Sequence, residues 1–189
     1  MIHVEHDKLI LQICALVVAI VAAIIDVRTT KIPNVITFPA TIIALIMRAL
    51  FGGFGMDGLL DGFLGALLGI FLTYFGGGMR KKMYFGDSKL MMACGAFLGW
   101  VNIIIVMMYF SICWGAIAVW RIGTVIPWKS IIGSVFAQQA GGDLFSPEDA
   151  KKVQARMQAL IPIGPAIAVG VLITELFGQQ TLEFMGLAK

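Results

Sequence analysis

The stretch from Lys89 to Trp120, KLMMACGAFLGWVNIIIVMMYFSICWGAIAVW, decides how this chain folds. It holds 32 residues, and its one charged side chain is Lys89 at the start. A single helix of that length would run about 48 Å at about 1.5 Å per residue, far beyond the ~30 Å hydrocarbon core of a bilayer. It therefore reads as two spans, about 88–99 and about 102–120, with a break near Gly99-Trp100-Val101-Asn102. Four further apolar runs lie at 9–25, 34–51, 58–78 and 159–178, each near the roughly 20 residues that a spanning helix needs. Composition points the same way. The chain is 59% hydrophobic and 13% charged, with a mean hydropathy of +0.92, which excludes an ordinary soluble domain. The expected fold class is all-α: a polytopic membrane protein of six transmembrane helices, forming one membrane-embedded domain over 1–189.

The basic residues test the count of spans. Six spans put 26–33, 79–89 and 121–158 on one side, carrying Arg28, Lys31, Arg80, Lys81, Lys82, Lys89, Arg121, Lys129, Lys151, Lys152 and Arg156. The other side holds Lys8, Arg48 and Lys189, so 14 basic residues divide 11 to 3. The positive-inside rule makes the first side cytoplasmic and places both termini outside. One span over 89–120 would send Arg121, Lys129, Lys151, Lys152 and Arg156 outward and spoil the asymmetry. Met1 to Asp7 carries no Lys or Arg, so the first span reads as retained rather than cleaved as a secretory signal.

Within that topology two acids share one setting. Asp26 closes the run Leu9 to Ile25, and Asp87 stands just before the fourth span, so both fall at the cytoplasmic face. A carboxylate at the edge of hydrocarbon loses hydration, which favours its neutral form. Two such acids held together cannot both ionise, so they share one proton and titrate as a pair. A pair of that kind can activate water for peptide hydrolysis, one acid serving as general base and the other polarising the carbonyl. Other hydrolytic chemistries are removed by inventory. No His occurs after His6, which excludes an intramembrane Ser–His dyad, and H-E-x-x-H is absent. Cys14, Cys94 and Cys113 fall in predicted spans without a C-x-x-C or a His partner, and read as small packing residues.

Other landmarks read as architecture. Gly58-x-x-x-Gly62, Gly65-x-x-x-Gly69 and Gly95-x-x-x-Gly99 allow close helix approach. Asp57 and Asp61 read as solvated residues at a helix start. In the loop 121–158, Ser146-Pro147-Glu148-Asp149 has the pattern of a helix N-terminus. Val153, Met157 and Leu160 then recur at amphipathic spacing. Trp128 with Ile131, Ile132, Val135 and Phe136 has the composition of a segment lying on the membrane surface. The net charge of +3 records the basic loops, and nothing points to nucleic acid.

Three motifs, in order, resemble the type IV prepilin peptidases, six-span aspartic proteases of the GxGD type. The first is Asp26-Val27-Arg28-Thr29-Thr30-Lys31-Ile32-Pro33-Asn34. The second is Tyr84-Phe85-Gly86-Asp87-Ser88-Lys89-Leu90, followed by Gly95-Ala96-Phe97-Leu98-Gly99-Trp100. The third is Pro162-Ile163-Gly164-Pro165 at the start of the last span. The resemblance implies Asp26 and Asp87 as catalytic residues, supported by Gly86, Lys89, Arg28, Pro33, Asn34, Tyr84, Pro162, Gly164 and Pro165. It implies that Lys89 tunes or positions Asp87. Tyr84 departs from the pattern, standing where the family has the first Gly of Gly-x-Gly-Asp; a tyrosine there must turn away or reshape the entrance. The family's cytoplasmic domain with paired cysteines is not expected here, which makes this a minimal core similar to those serving tight-adherence pili.

The function implied is an aspartic endopeptidase of the cytoplasmic (inner) membrane of a prokaryote, acting in type IV pilus biogenesis and secretion. Its partners would be the lipid bilayer and a prepilin with a basic leader and an apolar helix, cut at the cytoplasmic face. No metal and no organic cofactor are implied. Two alternatives stand beside it: a proton-coupled transporter, since paired membrane acids serve as relays, and a non-catalytic membrane protein of pilus assembly. Against the first, no acid or base is expected in mid-span and no inverted repeat is evident. Against the second, both aspartates are present.

Overall fold

The run 89–120 folds as two helices that meet at a corner. The computed structural model describes residues 2–50, 55–76, 85–124 and 163–186, and every element within them is helical. The order is α1 (Ile2–Thr29), α2 (Asn34–Leu50), α3 (Gly55–Gly76), α4 (Phe85–Leu98), α5 (Trp100–Gly123) and α6 (Gly164–Phe184). Gly99 makes the corner with φ of +85°, a left-handed conformation that side chains disfavour. Its N–H still donates to the Gly95 carbonyl at 2.8 Å, and its own carbonyl receives the Ile103 N–H at 3.1 Å. The break therefore falls within the expected stretch Gly99-Trp100-Val101-Asn102.

Two expected boundaries move. Helix α1 continues past Asp26 to Thr29, because Thr29 Oγ1 returns a bond to the Ile25 carbonyl at 2.8 Å and the chain turns only at Thr30, with φ of 52°. Helix α4 begins at Phe85, so Asp87 lies inside its first turn rather than ahead of it. Tyr84, Arg80 to Lys82, Pro162 and the loop features from Trp128 to Leu160 lie outside the described residues.

Among the described residues three helices are long and apolar enough to cross a membrane: His6–Thr29, Gly55–Tyr74 and Trp100–Arg121. Asn34–Leu50 is apolar but shorter. Helix α4 has only 14 residues, about 21 Å of rise against the ~30 Å of a bilayer core. It need not match the lipid, because α1, α2, α3 and α6 surround it and Leu90, Met91, Ala93, Cys94, Ala96, Phe97 and Leu98 are all buried. The outer helices instead turn Ile13, Val17, Ile42, Ile46, Phe63 and Leu67 outward. Such a surface suits hydrocarbon and not water.

The chain divides into two units, Met1–Ser111 with Pro162–Lys189, and Ile112–Ile161. In the first, α3 and α4 approach along the glycines expected to pack. A Cβ on Gly65 would stand 2.7 Å from the Gly99 carbonyl carbon and one on Gly95 2.6 Å from the Gly65 carbonyl carbon. Apolar burial gives helices little reason to associate in lipid, so close backbone packing of this kind does the work. In the second unit the described residues are the continuation of α5 to Thr124, whose Oγ1 donates to the Arg121 carbonyl at 2.7 Å.

Asp61 is not the solvated end residue expected from sequence. It forms an ion pair with Arg48, which is 7% exposed. Arg48 Nε also donates to the Phe97 carbonyl at 3.1 Å, and Asp61 Oδ1 accepts the Trp100 N–H at 3.2 Å. The pair thus ties α2 and α3 to the α4–α5 corner, where the Phe97 carbonyl and the Trp100 N–H would otherwise lack these partners. Arg48→Met should lower stability by about 2 kcal/mol, since it strands the Asp61 carboxylate and the Phe97 carbonyl. Thermal unfolding in detergent measures this, and an unchanged midpoint would contradict the assigned role.

Candidate active site

One face of α1 carries the first acid inward. Leu11, Ala15, Ala19, Ala22 and Asp26 recur at spacings of four, four, three and four, and all are buried. The small side chains let α4 and α6 pack against α1. Asp26 is 5% exposed, and its Oδ2 accepts the Gly164 N–H at 2.8 Å. Gly164 opens α6, where Ile163 provides no side-chain cap and Pro165 follows in the first turn. A Cβ on Gly164 would come 3.0 Å from the Ala23 Cα and 3.1 Å from both the Asp26 Cβ and Oδ2. A larger residue there would push the α6 N-terminus away from Asp26 by a few tenths of an ångström.

The second acid comes from the opening turn of α4, ahead of its apolar run. Asp87 is pushed up to about 7, first by burial and then by the charge of Asp26. Like charge raises a carboxyl in this way only at short range, so the two acids share one electrostatic site. Around them the α1–α2 linker packs on α4: a Cβ at Gly86 would meet the Ile32 Cβ at 3.4 Å, an ordinary contact. Lys89 Nζ donates to Asn34 Oδ1 at 2.7 Å and lies 5.5 Å from the centre of the Phe38 ring. These contacts fasten the first turn of α2 to the first turn of α4. Pro33, whose carbonyl receives the Ile36 N–H at 3.2 Å, starts α2 at Asn34.

Residues 13–119 match the sequence model of the type IV leader peptidase family. The chain belongs to the type IV leader peptidase family. The match covers both aspartates, α4 and the part of α1 from Ile13 onward, whereas Gly164 and Pro165 lie beyond it. No curated protein and no solved structure matches the chain. Membership makes the protein a peptidase whose substrates, as a class, are type IV leader-bearing prepilins. With its long apolar helices it is a membrane protein.

Of the site residues read from the peptidase motifs, the structure brings together Asp26, Asp87, Gly86, Gly164, Asn34 and Lys89. Pro165 is half-buried, and Arg28 is exposed at the end of α1. Tyr84 and Pro162 lie outside the described residues. Sequence reasoning missed the Arg48–Asp61 pair. A lone cation, Arg48, at the same end as the acids Asp57 and Asp61 on the adjacent apolar run was the available signal. It also expected no acid in mid-span, yet Glu175 lies inside α6 with Oε1 buried and, among the described residues, unbonded. That removes one argument against transport, and the peptidase assignment rests on the family and the aspartates instead.

Proposed function

We propose that this peptidase is an aspartic endopeptidase of the prokaryotic cytoplasmic membrane, removing the basic leader from type IV prepilin-like proteins for pilus assembly and secretion. The observation that carries the reading is the electrostatic pairing of Asp87 with a buried Asp26 from the neighbouring helix. Two carboxyls so placed keep one proton between them. The ionised member activates water, and the protonated member polarises the scissile carbonyl. Lys89, through Asn34, holds the α4 turn that presents Asp87, with Gly86, Pro33 and Arg28 shaping the same end. Neither metal nor organic cofactor enters this chemistry. Incubating the purified full chain in detergent with prepilins of differing leaders tests it. A product shortened at the leader boundary is expected, and intact substrates beside a folded protein would overturn the reading.

The same proposal includes six spans, both termini outside and the aspartates at the cytoplasmic face. The support is the division of basic residues, 11 to 3. Reporter fusions after Arg28, Lys82 and Lys151 should report cytoplasm, and fusions at Gly53 or the C-terminus should report outside. A cytoplasmic C-terminus would contradict six spans.

A further inference from the structure

We propose that Asp26 is the base of the pair and Asp87 its acid, and that the backbone N–H of Gly164 is the positioning group that fixes this division. The proposal rests on the two-aspartate reading above and adds the direction of proton flow, which a pair of like side chains does not reveal from sequence.

Three observations carry it. Gly164 is the first residue of the 21-residue helix α6, so its N–H has no acceptor within its own helix. With no side-chain cap at Ile163, the partner it finds is Asp26 Oδ2, across the bundle at 2.8 Å. An oxygen receiving an N–H at a helix N-terminus serves as acceptor, and negative charge is favoured there. The approach is also close on both sides, since a Cβ on Gly164 would stand 3.0 Å from the Ala23 Cα and 3.1 Å from Asp26, and the neighbours would have to give way. Asp87 differs. Although it stands in the first turn of α4, among the described residues its carboxyl receives no comparable N–H, and burial holds it near 7. From α4 the charged groups at this end are Asp87, coupled to Asp26, and Lys89. Helices α2 and α6 bring no acid in their first turns, Lys89 is bonded to Asn34, and Arg28 on the same helix is exposed.

The chemistry then has one direction. Oδ1 of Asp26 takes a proton from water as the water oxygen bonds to the scissile carbon. The carbonyl π pair moves to oxygen, which takes the proton of Asp87. On collapse the C–N bond breaks and the leaving nitrogen takes the proton from Asp26. Asp87 regains its proton from the hydroxyl whose oxygen becomes the new carbonyl. One water is consumed and both carboxyls return to their starting states.

Replacing the Gly164 N–H by an ester oxygen, through nonsense suppression with glycolic acid in the full chain, removes the donor without adding bulk. The expected result is a fall in kcat of about tenfold with KM nearly unchanged. The acidic limb of the pH–kcat profile, which reports the base, should move to higher pH by about one unit. The alkaline limb, near the Asp87 value of about 7, should stay in place. A displaced alkaline limb would make Asp26 the acid, and lower activity with an unmoved profile would make Gly164 merely structural; either overturns the proposal. Infrared spectroscopy gives a second reading that needs no turnover. At about pH 6 one protonated-carboxyl band should be lost in Asp87→Asn and kept in Asp26→Asn. The reverse pattern would overturn the division of roles while leaving the two-aspartate requirement intact.

Discussion

Asp26→Asn and Asp87→Asn should each reduce prepilin cleavage by at least about a thousandfold while the protein still inserts and folds, because each removes one half of a proton-sharing pair. Asparagine keeps the volume and one carbonyl acceptor, so the Gly164 N–H retains a partner when Asp26 is replaced. What disappears is the capacity to take or give a proton. Residues acting as a unit are not additive, so the double variant should be no slower than either single one. Asp57, exposed in the first turn of α3, is the control, and Asp57→Asn should keep most activity. Initial rates of leader removal, with folding followed by gel filtration, decide the matter. A fully active Asp26→Asn protein would defeat the mechanism.

The largest loss of stability is expected at the α3–α4 contact. Gly95→Ala puts a methyl group where the Gly65 carbonyl carbon stands 2.6 Å away. Backbone cannot yield as a flexible side chain does, so the helices must separate. Overpacking at such a site costs about 3 kcal/mol, equivalent to a midpoint about 6–12 °C lower for a chain of this size. Because α4 also carries Asp87, separation should lower kcat as well as the midpoint. Gly115→Ala is the comparison, since among the described residues nothing lies within 4 Å of its added Cβ and alanine favours a helix by up to about 1 kcal/mol. Equal midpoints for the two variants would show that α3 and α4 do not pack as described.

Much of the architecture was legible because lipid imposes long apolar runs. The α4–α5 corner followed from length, which put a break near Gly99-Trp100-Val101-Asn102, and the backbone turns at Gly99. The inward turn of Asp26 was also available, since it continues the small-residue stripe of Ala15, Ala19 and Ala22. The helix ends were less legible. Asp26 and Asp87 lie inside helices rather than at their borders, because Thr29 extends α1 and Phe85 begins α4 early. Contacts between distant segments left no local trace. The Gly164 N–H on Asp26 spans 138 positions, and the motif Pro162-Ile163-Gly164-Pro165 signals a helix start without saying what lies opposite it. Arg48 and Asp61 each had an adequate local explanation, which hid their pairing.

The central claim is that Asp26 and Asp87 together bind the transition state of leader cleavage. It is tested most directly by the affinity of a prepilin-like peptide carrying a hydroxyethylene group in place of the scissile bond. Transition-state mimics bind more tightly than substrates only when the groups that stabilise the transition state are present. The account predicts tight, competitive binding to the natural protein and a loss of at least about a hundredfold in both Asp26→Asn and Asp87→Asn. Equal binding by all three proteins would contradict it.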